Sequence, residues 1–456
     1  MLLSRSTCFC YNFVYRRSAE HFDTKALSCN SAATGQPIAE DSREQGGVGC
    51  VEQWRKNLFV LWVGTFVAGM SFSIVSPFMP NILREVGVGH NLKLWTGIAI
   101  SASFLMSSFM APVWGALADK HGRKVMIVRA GLGMAVIYVV MAYATSLWQV
   151  IVLRLLNGLV SGFIPASTAL VACNTPDEKL GSALGFLQTG GALGAIMGPL
   201  IGGVTSHFLG IKYTLLWAGV MLLAASAIVV WGVRETVVGK AQMKTDLWRD
   251  LKFTFSHRFL LSMLLVVLLF QAAASFLQPV LPLFVQEVGG GGSGELATGA
   301  IFSLVGIATV IAAPRWGSVG EKRGFRFVLT AGLVGGGILA LLHIFARDLW
   351  SLGLYRFAYG LFIAALMPAC HSLIAKSVTA DFRGRAFGFS SSFAQFGFFL
   401  GPMVGGAIGE AFSIQGVFIF TGVLLFVTAL WVRGLQFEGR VAMSETALQK
   451  GVLMEK

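Results

Sequence analysis

The sequence is dominated by long runs that carry almost no charge, and these runs constrain the fold more than any other feature. They occupy roughly residues 57–83, 94–118, 130–153, 155–176, 180–211, 213–233, 259–286, 296–314, 327–346, 349–375, 386–409 and 411–432. Most reach the length of about 20 residues that an α-helix needs to cross the hydrocarbon core of a bilayer. The chain is 55% hydrophobic and only 12% charged, which is too little polar surface for a soluble protein of this size. We therefore predict an all-α polytopic membrane protein with twelve transmembrane helices, numbered here as spans 1 to 12.

The Lys and Arg residues between the spans predict the orientation. The outer loops hold Arg84, Lys93, Lys212 and Arg347, whereas the inner loops hold several times that number. Because short basic loops resist translocation, both termini are expected to be cytoplasmic. The net charge of +13 then reflects topology and contact with the lipid bilayer, and we expect no nucleic-acid partner.

Three segments of the sequence occur twice in the same order. APVWGALADKHGRK at 111–124 returns as APRWGSVGEKRGFR at 313–326, and RLLNG from Arg154 matches RFAYG from Arg356. GFLQTGGALGAIMGPLIGG from Gly185 matches GFSSSFAQFGFFLGPMVGG from Gly388. The repeat predicts two homologous six-helix bundles. We place a poorly ordered tail at 1–54, the first bundle at 55–235, a cytoplasmic linker at 236–257, the second bundle at 258–435 and a tail at 436–456.

Two of these segments resemble known signatures. GALADKHGRK resembles the loop 2-3 signature of the major facilitator superfamily, and GFLQTGGALGAIMGPLIGG resembles the helix-5 signature of its drug and proton antiporters. Over nearly the whole chain, from about Trp54 to Leu435, the sequence resembles MdtG-like bacterial multidrug efflux transporters. The resemblance implies a multi-pass cell-membrane protein, in the bacterial inner membrane, that exports lipophilic drugs in exchange for protons by alternating access. An importer of a small metabolite and a non-transporting receptor or scaffold are the alternatives.

The sequence shows no phosphate-binding loop, metal-ligand spacing or nucleophile constellation. We therefore expect no enzymatic activity, no cofactor and no metal site. The expected partners are a small lipophilic substrate, protons as the coupling ion and the bilayer, and the expected state is a monomer.

The loop between spans 2 and 3 holds the first candidate site, a latch between the halves. Its members are Gly115, Asp119, Gly122, Arg123, Lys124 and Asp177. The glycines permit close approach and positive φ, and Asp119 can face a helix amino terminus. The resemblance implies that this terminus belongs to span 11, that Arg123 reaches Asp177 or Glu178, and that the latch holds the outward-open state. Alternatively, the bases only keep the loop inside.

Span 5 carries a glycine at every fourth position and a proline beside the third. These residues are Gly190, Gly194, Gly198, Pro199 and Gly202, and span 11 repeats the pattern with Gly397, Gly401, Pro402, Gly405 and Gly409. The spacing permits close helix contact in lipid, and a proline favours a bend. We expect these faces to form a seam between the halves, with ordinary small-residue packing as the alternative.

Arg154 lies inside span 4, where an unpaired charge is costly. A similarly placed arginine, followed by a polar residue and a glycine, is tied to proton transfer in the family that the sequence resembles. Arg154, Asn157 and Gly158 are therefore the candidates for proton coupling. An arginine that snorkels to the outer face is the alternative. Since no acid lies in a helix centre, the sequence identifies no proton carrier.

The substrate cavity is expected between spans 1, 4, 7 and 10, with contributions from spans 2, 5, 8 and 11. The candidate residues are Met70, Phe72, Met106, Gln188, Gln271, Gln278, Tyr359 and Gln395. Apolar, aromatic and amide groups suit adaptable binding of hydrophobic molecules. The absence of central acids argues against strict selection of polycations.

Overall fold

The computed structural model describes residues 41–235, 247–290 and 294–435. Its α-helices are Asp41–Val75, Met79–Glu85, Leu92–His121, Arg123–Met141, Leu147–Val160, Phe163–Asn174, Asp177–Leu209, Ile211–Gly232, Leu247–Ser256, Arg258–Phe276, Leu281–Val288, Gly294–Arg323, Phe325–Leu342, Leu349–Ile363, Leu366–Ser377, Ala380–Ala411 and Ile414–Gly434. Short 3-10 turns cover Ser76–Phe78 and His343–Phe345, and the described residues contain no β-strand. The predicted tail from residue 436, residues 1–40 of the first tail and residues 236–246 of the linker lie outside the described residues.

Eleven of the described helical stretches are long and apolar enough to cross a membrane, and they correspond to spans 1 to 10 and span 12. Span 11 is the helix Ala380–Ala411, whose 32 residues extend about 48 Å at the usual rise of 1.5 Å per residue. It is rich in glycine and serine and is not among the eleven. The predicted all-α polytopic fold is confirmed.

Each half of the described chain buries its own apolar core. Ile127 and Leu222 belong to the core of spans 1 to 6, and Phe270 and Leu333 belong to a core of spans 7 to 12. Large apolar side chains such as Trp231 are exposed on the outside of the helices. This distribution suits helices that pack on one side and meet lipid on the other.

A short helix in the predicted linker docks on the second half. Within Leu247–Ser256, the buried Asp250 accepts a hydrogen bond from Arg385 Nη1 at 2.6 Å. Phe253 of the same helix packs edge-on against Phe382, with ring centroids 4.7 Å apart. The linker helix is therefore attached to the inner end of span 11.

Spans 4 and 10 are interrupted at equivalent places. The helix of span 4 stops at Val160 and restarts at Phe163, and the intervening Gly162 has φ of +129°. Span 10 is interrupted at Ala364 and Ala365. Because hydrocarbon offers no hydrogen bonds, a break at this depth requires protein or cavity water to satisfy the freed backbone groups.

The prediction that the glycine faces of spans 5 and 11 form the seam between the halves is wrong. Gly194 and Gly198 face the backbone of span 1 around Met70, so they pack within the first half. In span 11, Gly401 likewise faces Ala272 of span 7. Glycines spaced by four residues share one helix face, and that face meets the neighbour in the same half. Close packing was predicted correctly, but the partner helix was not.

The halves meet instead on an adjacent face of the same helices. A Cβ on Gly97 of span 2 would lie 3.3 Å from the Cα of Gly406 in span 11, and one on Gly299 of span 8 would lie 3.2 Å from the Cα of Gly203 in span 5. Gly203 follows Gly202 by one residue, which turns the contact by about 100° around the helix. Both contacts lie toward the outer end, by the orientation that the basic loops predict.

Toward their inner ends, spans 5 and 11 show no such close contact at the glycines Gly185 and Gly388. Gly185 of span 5 and Gly388 of span 11 are exposed, and a Cβ on either would meet no atom within 4 Å. The two halves therefore approach at the outer end and separate toward the inner end.

Candidate functional site

A cavity of about 510 Å³ opens where the halves separate, and its volume lies in the range of small-molecule sites. The lining comprises Ala68, Phe72, Ser103, Phe104, Ser107, Ala111, Trp114, Gly115, Ala118, Arg123, Met126, Arg129, Met134, Asn157, Gly158, Ser161, Gly162, Phe163, Ile164, Pro165, Ala166, Ala169 and Gln395. Spans 1 to 4 supply most of the wall, and Gln395 comes from span 11. The cavity thus reaches from the centre of the bundle to the loop between spans 2 and 3.

Aromatic rings form the deep part of this wall. Phe104 of span 2 stacks on Phe398 of span 11, with ring centroids 5.1 Å apart and planes 17° from parallel. Phe72 of span 1 meets Phe104 edge-on at 5.8 Å. A planar or apolar molecule would therefore contact both halves at this depth.

The break in span 4 is stabilised by two side chains from the cavity wall. Trp114 Nε1 donates to the carbonyl of Leu159 at 2.6 Å, and Arg129 Nη2 donates to the carbonyl of Ser161 at 3.3 Å. The Arg129 guanidinium carbon lies 3.5 Å from the centre of the Trp114 ring, in a cation–π contact. These bonds supply partners for carbonyls beside the interruption.

The second half repeats one of these bonds. Trp316 Nε1 donates to the carbonyl of Leu361 at 2.7 Å, and Leu361 precedes the break in span 10. Trp316 occupies the position of Trp114 in the repeated AP-x-WG segment. The repeated Trp-Gly pair therefore has a structural reason, because each indole joins span 2 or 8 to the interrupted helix beside it.

Arg129 gives the cavity a positive charge that sequence reasoning missed. Its Nε and Nη1 atoms are buried and have no hydrogen-bond partner. Arg123 and Arg129 are the charged residues in the described lining, which includes no carboxylate. From the sequence alone Arg129 counts only as an inner basic residue before span 3, whereas in the structure the helix begins at Arg123 and includes it.

Arg154 is buried rather than snorkelling, with 2% of its surface exposed. Its Nε donates to the carbonyl of Ala99 at 3.1 Å, and Ser103 Oγ donates to the carbonyl of Arg154 at 2.8 Å. Arg154 therefore joins spans 2 and 4, and its neighbours Asn157 and Gly158 line the cavity. Asn157 is buried, and its side chain interacts with the hydroxyl group of Tyr138.

The structure describes only part of the predicted latch. Gly122 has φ of +94°, and Gly115 lines the cavity at a point where a Cβ would meet no atom within 4 Å. Arg123 and Lys124 begin the helix of span 3. The side chains of Asp119, Asp177 and Glu178 lie outside the described residues. The latch stays a prediction.

The other predicted cavity residues are dispersed. Phe72 and Gln395 line the cavity. Of the remainder, Met70 packs between spans 1 and 5, Met106 lies against Gly158, Gln188 is exposed, Gln271 lies against Gly397, Gln278 is half-buried and Tyr359 is buried inside the second half. Their roles in substrate binding stay predictions, since each faces a different environment.

Two repeated helical halves, broken helices and a small-molecule cavity that reaches one side define the class of secondary membrane transporters. The chain belongs to the Major Facilitator Superfamily, whose sequence profile matches residues 61–311 and 292–447. It is 35% identical over 405 residues to the multidrug resistance protein MdtG of Enterobacter lignolyticus, covering 87% of this chain and 96% of that protein. The MdtG of Escherichia fergusonii is 36% identical over 378 residues, which cover 82% of this chain and 93% of the relative.

Solved transporter structures share the fold. A variant of the nucleoside transporter NupG has a TM-score of 0.73 at 14% identity, covering 83% of this chain and 99% of that chain. A bacterial homologue of the human lysosomal transporter Spinster, inward-facing and occupied, has a TM-score of 0.72 at 14% identity, covering 85% and 98%. The predicted membership of the superfamily and similarity to MdtG-like transporters are confirmed.

Proposed function

We propose that this protein exports lipophilic small molecules across the bacterial inner membrane, driven by protons, by alternating access between its two halves. The observation that carries the proposal is the cavity of about 510 Å³ that reaches the inner end of the bundle. The similarity to proteins named for multidrug resistance supports export over import.

The contacts between the halves support an alternating cycle. Ser101 Oγ donates to the carbonyl of Phe399 at 2.6 Å across the outer part of the seam. At the inner end, Gly185 and Gly388 face open space. With the cytoplasmic termini that the basic loops predict, this arrangement would present the cavity to the cytoplasm, from which an exporter takes its substrate. Rotation of the halves about their contact would close the inner end and open the outer end.

The chemistry of the described lining supports neutral or acidic lipophiles as substrates. Phe72, Phe104 and Trp114 offer apolar and aromatic surface, while Arg129 offers buried N–H donors without partners. A polycation would meet the charge of Arg129 and Arg123 without a carboxylate from the described lining. Lipophiles with a carboxylate or another hydrogen-bond acceptor fit this wall better.

We propose that the proton is coupled to transport through span 4. Arg154 is buried between spans 2 and 4 and lies one turn from Asn157. A buried positive charge acts on any neighbouring group that gains or loses a proton. We propose that Arg154 acts electrostatically on the coupling proton, with Asn157 between it and the cavity.

Transport into everted membrane vesicles tests this function. Vesicles that contain the full chain should accumulate fluorescent lipophiles when an inward-acid pH gradient is imposed, and collapse of the gradient should abolish the accumulation. Vesicles without the protein are the control. Flux of a hydrophilic metabolite in the opposite direction would support an importer, and no gradient-dependent flux of any compound would support a receptor or scaffold.

A further inference from the structure

The seam between the halves contains two corners that the internal repeat relates to each other. In one corner Ser101 of span 2 bonds to the carbonyl of Phe399, and in the other Ser303 of span 8 bonds to the carbonyl of Ile196 of span 5, both at 2.6 Å. The glycine contacts of the two corners also correspond. The backbone therefore forms the same junction twice.

Two residues of opposite charge lie outward of each junction, but their contacts differ. In the first corner the carboxylate of Glu410 in span 11 accepts a hydrogen bond from the backbone N–H of Lys93 in span 2 at 3.3 Å. Lys93 Nζ donates to the carbonyl of Gly409 at 3.0 Å. Since a lysine stays charged through the physiological range, this contact keeps its cation at any ordinary external pH.

The second corner has the two signs exchanged. Glu295 of span 8 takes the position of Lys93, and His207 of span 5 takes the position of Glu410. His207 Nδ1 lies 3.7 Å from Glu295 Oε2, and both side chains are about one-third exposed, at 36% and 33%. The pair crosses between the halves, and protons from the outer solution can reach it.

The charged groups around His207 and Glu295 determine whether protonation of His207 strengthens or weakens the contact between the halves. Glu85, at the end of span 1, interacts electrostatically with Glu295. Arg84 is engaged with Gln286, because its Nη1 donates to Gln286 Oε1 at 2.7 Å.

Other side chains near His207 are aromatic, or are charged groups that point elsewhere. Phe208 meets the ring of His207 edge-on at 4.9 Å. Of the charged groups on adjoining helix ends, Glu287 is exposed and Lys212 lies over the ring of Tyr143. A neutral His207 thus leaves Glu295 beside a second carboxylate, whereas a protonated His207 supplies a cation across the seam.

We propose that His207 is an external proton-binding site that holds the outer end of the transporter closed. Histidine is the side chain whose charge changes between pH 5 and pH 8. One proton passes from the outer solution to the imidazole, and no other bond forms or breaks. The pair joins the two halves and exists only when they are in contact, so an imidazolium at His207 adds an attraction to Glu295 in the closed state.

The direction of the effect follows by linkage. Lowering the external pH through the range of histidine stabilises the outer-closed state, and raising it removes that stabilisation. In an exporter this favours return to the state that loads substrate from the cytoplasm when the outside is acidic. The proposal rests on the proposed function only in requiring that the halves alternate.

Spin-label distances in the full chain test the proposal without measuring transport. The labels are placed by Trp148→Cys and Trp350→Cys, two exposed positions at the outer starts of spans 4 and 10, in a background whose six native cysteines are replaced by alanine. In lipid nanodiscs the ratio of outer-open to outer-closed molecules should fall about two- to fivefold from pH 8 to pH 5.5, the range that exposed ion pairs support.

Three variants separate the proton site from the packing around it. His207→Lys copies the fixed cation of the other corner. Its ratio of outer-open to outer-closed molecules should therefore be as low at both pH values as that of the wild-type protein at pH 5.5. In His207→Gln the same ratio should be as high at both pH values as that of the wild-type protein at pH 8. Lys93→Met weakens the other corner, so it should raise the open fraction at both pH values and keep the pH response.

Each alternative outcome is decisive. A wild-type pH response in His207→Gln, or a pH-independent ratio in the wild-type protein, would overturn the proposal. The experiment measures a distance between spin labels and not transport. The pH response of that distance can therefore be observed even in a protein that exports no drug. Failure of the export function and failure of the proton site are therefore distinguishable.

Discussion

Glu235 caps the amino-terminal end of span 3 from the far end of span 6. Its two carboxylate oxygens accept hydrogen bonds from the backbone N–H groups of Arg123 at 2.8 Å and Lys124 at 3.0 Å. Lys124 Nζ returns a bond to the carbonyl of Val233 at 2.7 Å. Since first-turn N–H groups have no partner inside a helix, the acid satisfies them and complements the helix dipole.

Replacement of this cap should lower stability. Glu235→Ala removes both accepted bonds, and we expect the free energy of unfolding to fall by about 1–2 kcal/mol. The measurement is reversible denaturation of the purified protein in mixed micelles. Glu287→Ala removes an exposed carboxylate and should change stability by less than about 0.5 kcal/mol. Equal effects of the two substitutions would show that Glu235 is not a cap.

Gly97 should be intolerant of a side chain because it lies against span 11. Gly97→Val places a branched side chain where a Cβ already meets the carbonyl of Pro402. Overpacking of this kind costs about 1–3 kcal/mol, so the outer-closed state should lose population and export should fall about tenfold. Gly89→Val is the control, since a Cβ there meets nothing within 4 Å. Normal export by Gly97→Val would contradict the assigned seam.

Arg129 should determine which substrates the cavity accepts. Arg129→Met keeps an apolar stem but removes the charge and the donors, so export of an aromatic carboxylate should fall about tenfold, the value of a lost charge-assisted hydrogen bond. Export of the matching primary amide should change much less. The measurement is vesicle transport of both compounds at equal expression. An equal loss for both would indicate a structural role beside the break in span 4.

Arg154 should resist replacement by lysine. Its Nε bonds to Ala99 from a buried position, and a lysine there keeps a charge but loses the planar fork of donors. Export driven by a pH gradient should fall at least tenfold in Arg154→Lys and be abolished in Arg154→Ala, while binding of a fluorescent lipophile persists. Wild-type rates in the lysine variant would exclude the coupling role.

The predicted latch leads to a separate test. Asp119→Asn should reduce export strongly while membrane insertion is preserved, because the bases that set the topology remain. The measurement is export per molecule, with membrane content determined by quantitative blotting. If the variant exports normally, Asp119 does not lock the halves.

The repeat carried most of the fold prediction, because matched segments at a constant spacing require matched helices. The same repeat could not locate the seam. Gly202 and Gly203 are adjacent in sequence, yet one faces span 1 and the other faces span 8. A helical period assigns residues to faces, but the neighbour of each face depends on how six helices are arranged in space.

The cavity shows a similar division between local and long-range information. Phe72 and Gln395 were predicted from their positions in spans 1 and 11, and both line the cavity. Arg129 was missed because its place in the cavity wall depends on its contacts with Trp114 and with the break in span 4. Likewise, no local pattern places Glu235 beside Arg123, since the pair is formed by contact between the ends of two spans.

The two indole bonds, from Trp114 to Leu159 and from Trp316 to Leu361, stabilise the two broken helices in the same way. Corresponding donors reach corresponding carbonyls in both halves, so the bond that stabilises the break is common to the two copies of the repeat. Arg129 has no basic counterpart at the matching Ala331, so this charge of the cavity comes from a position where the two copies differ.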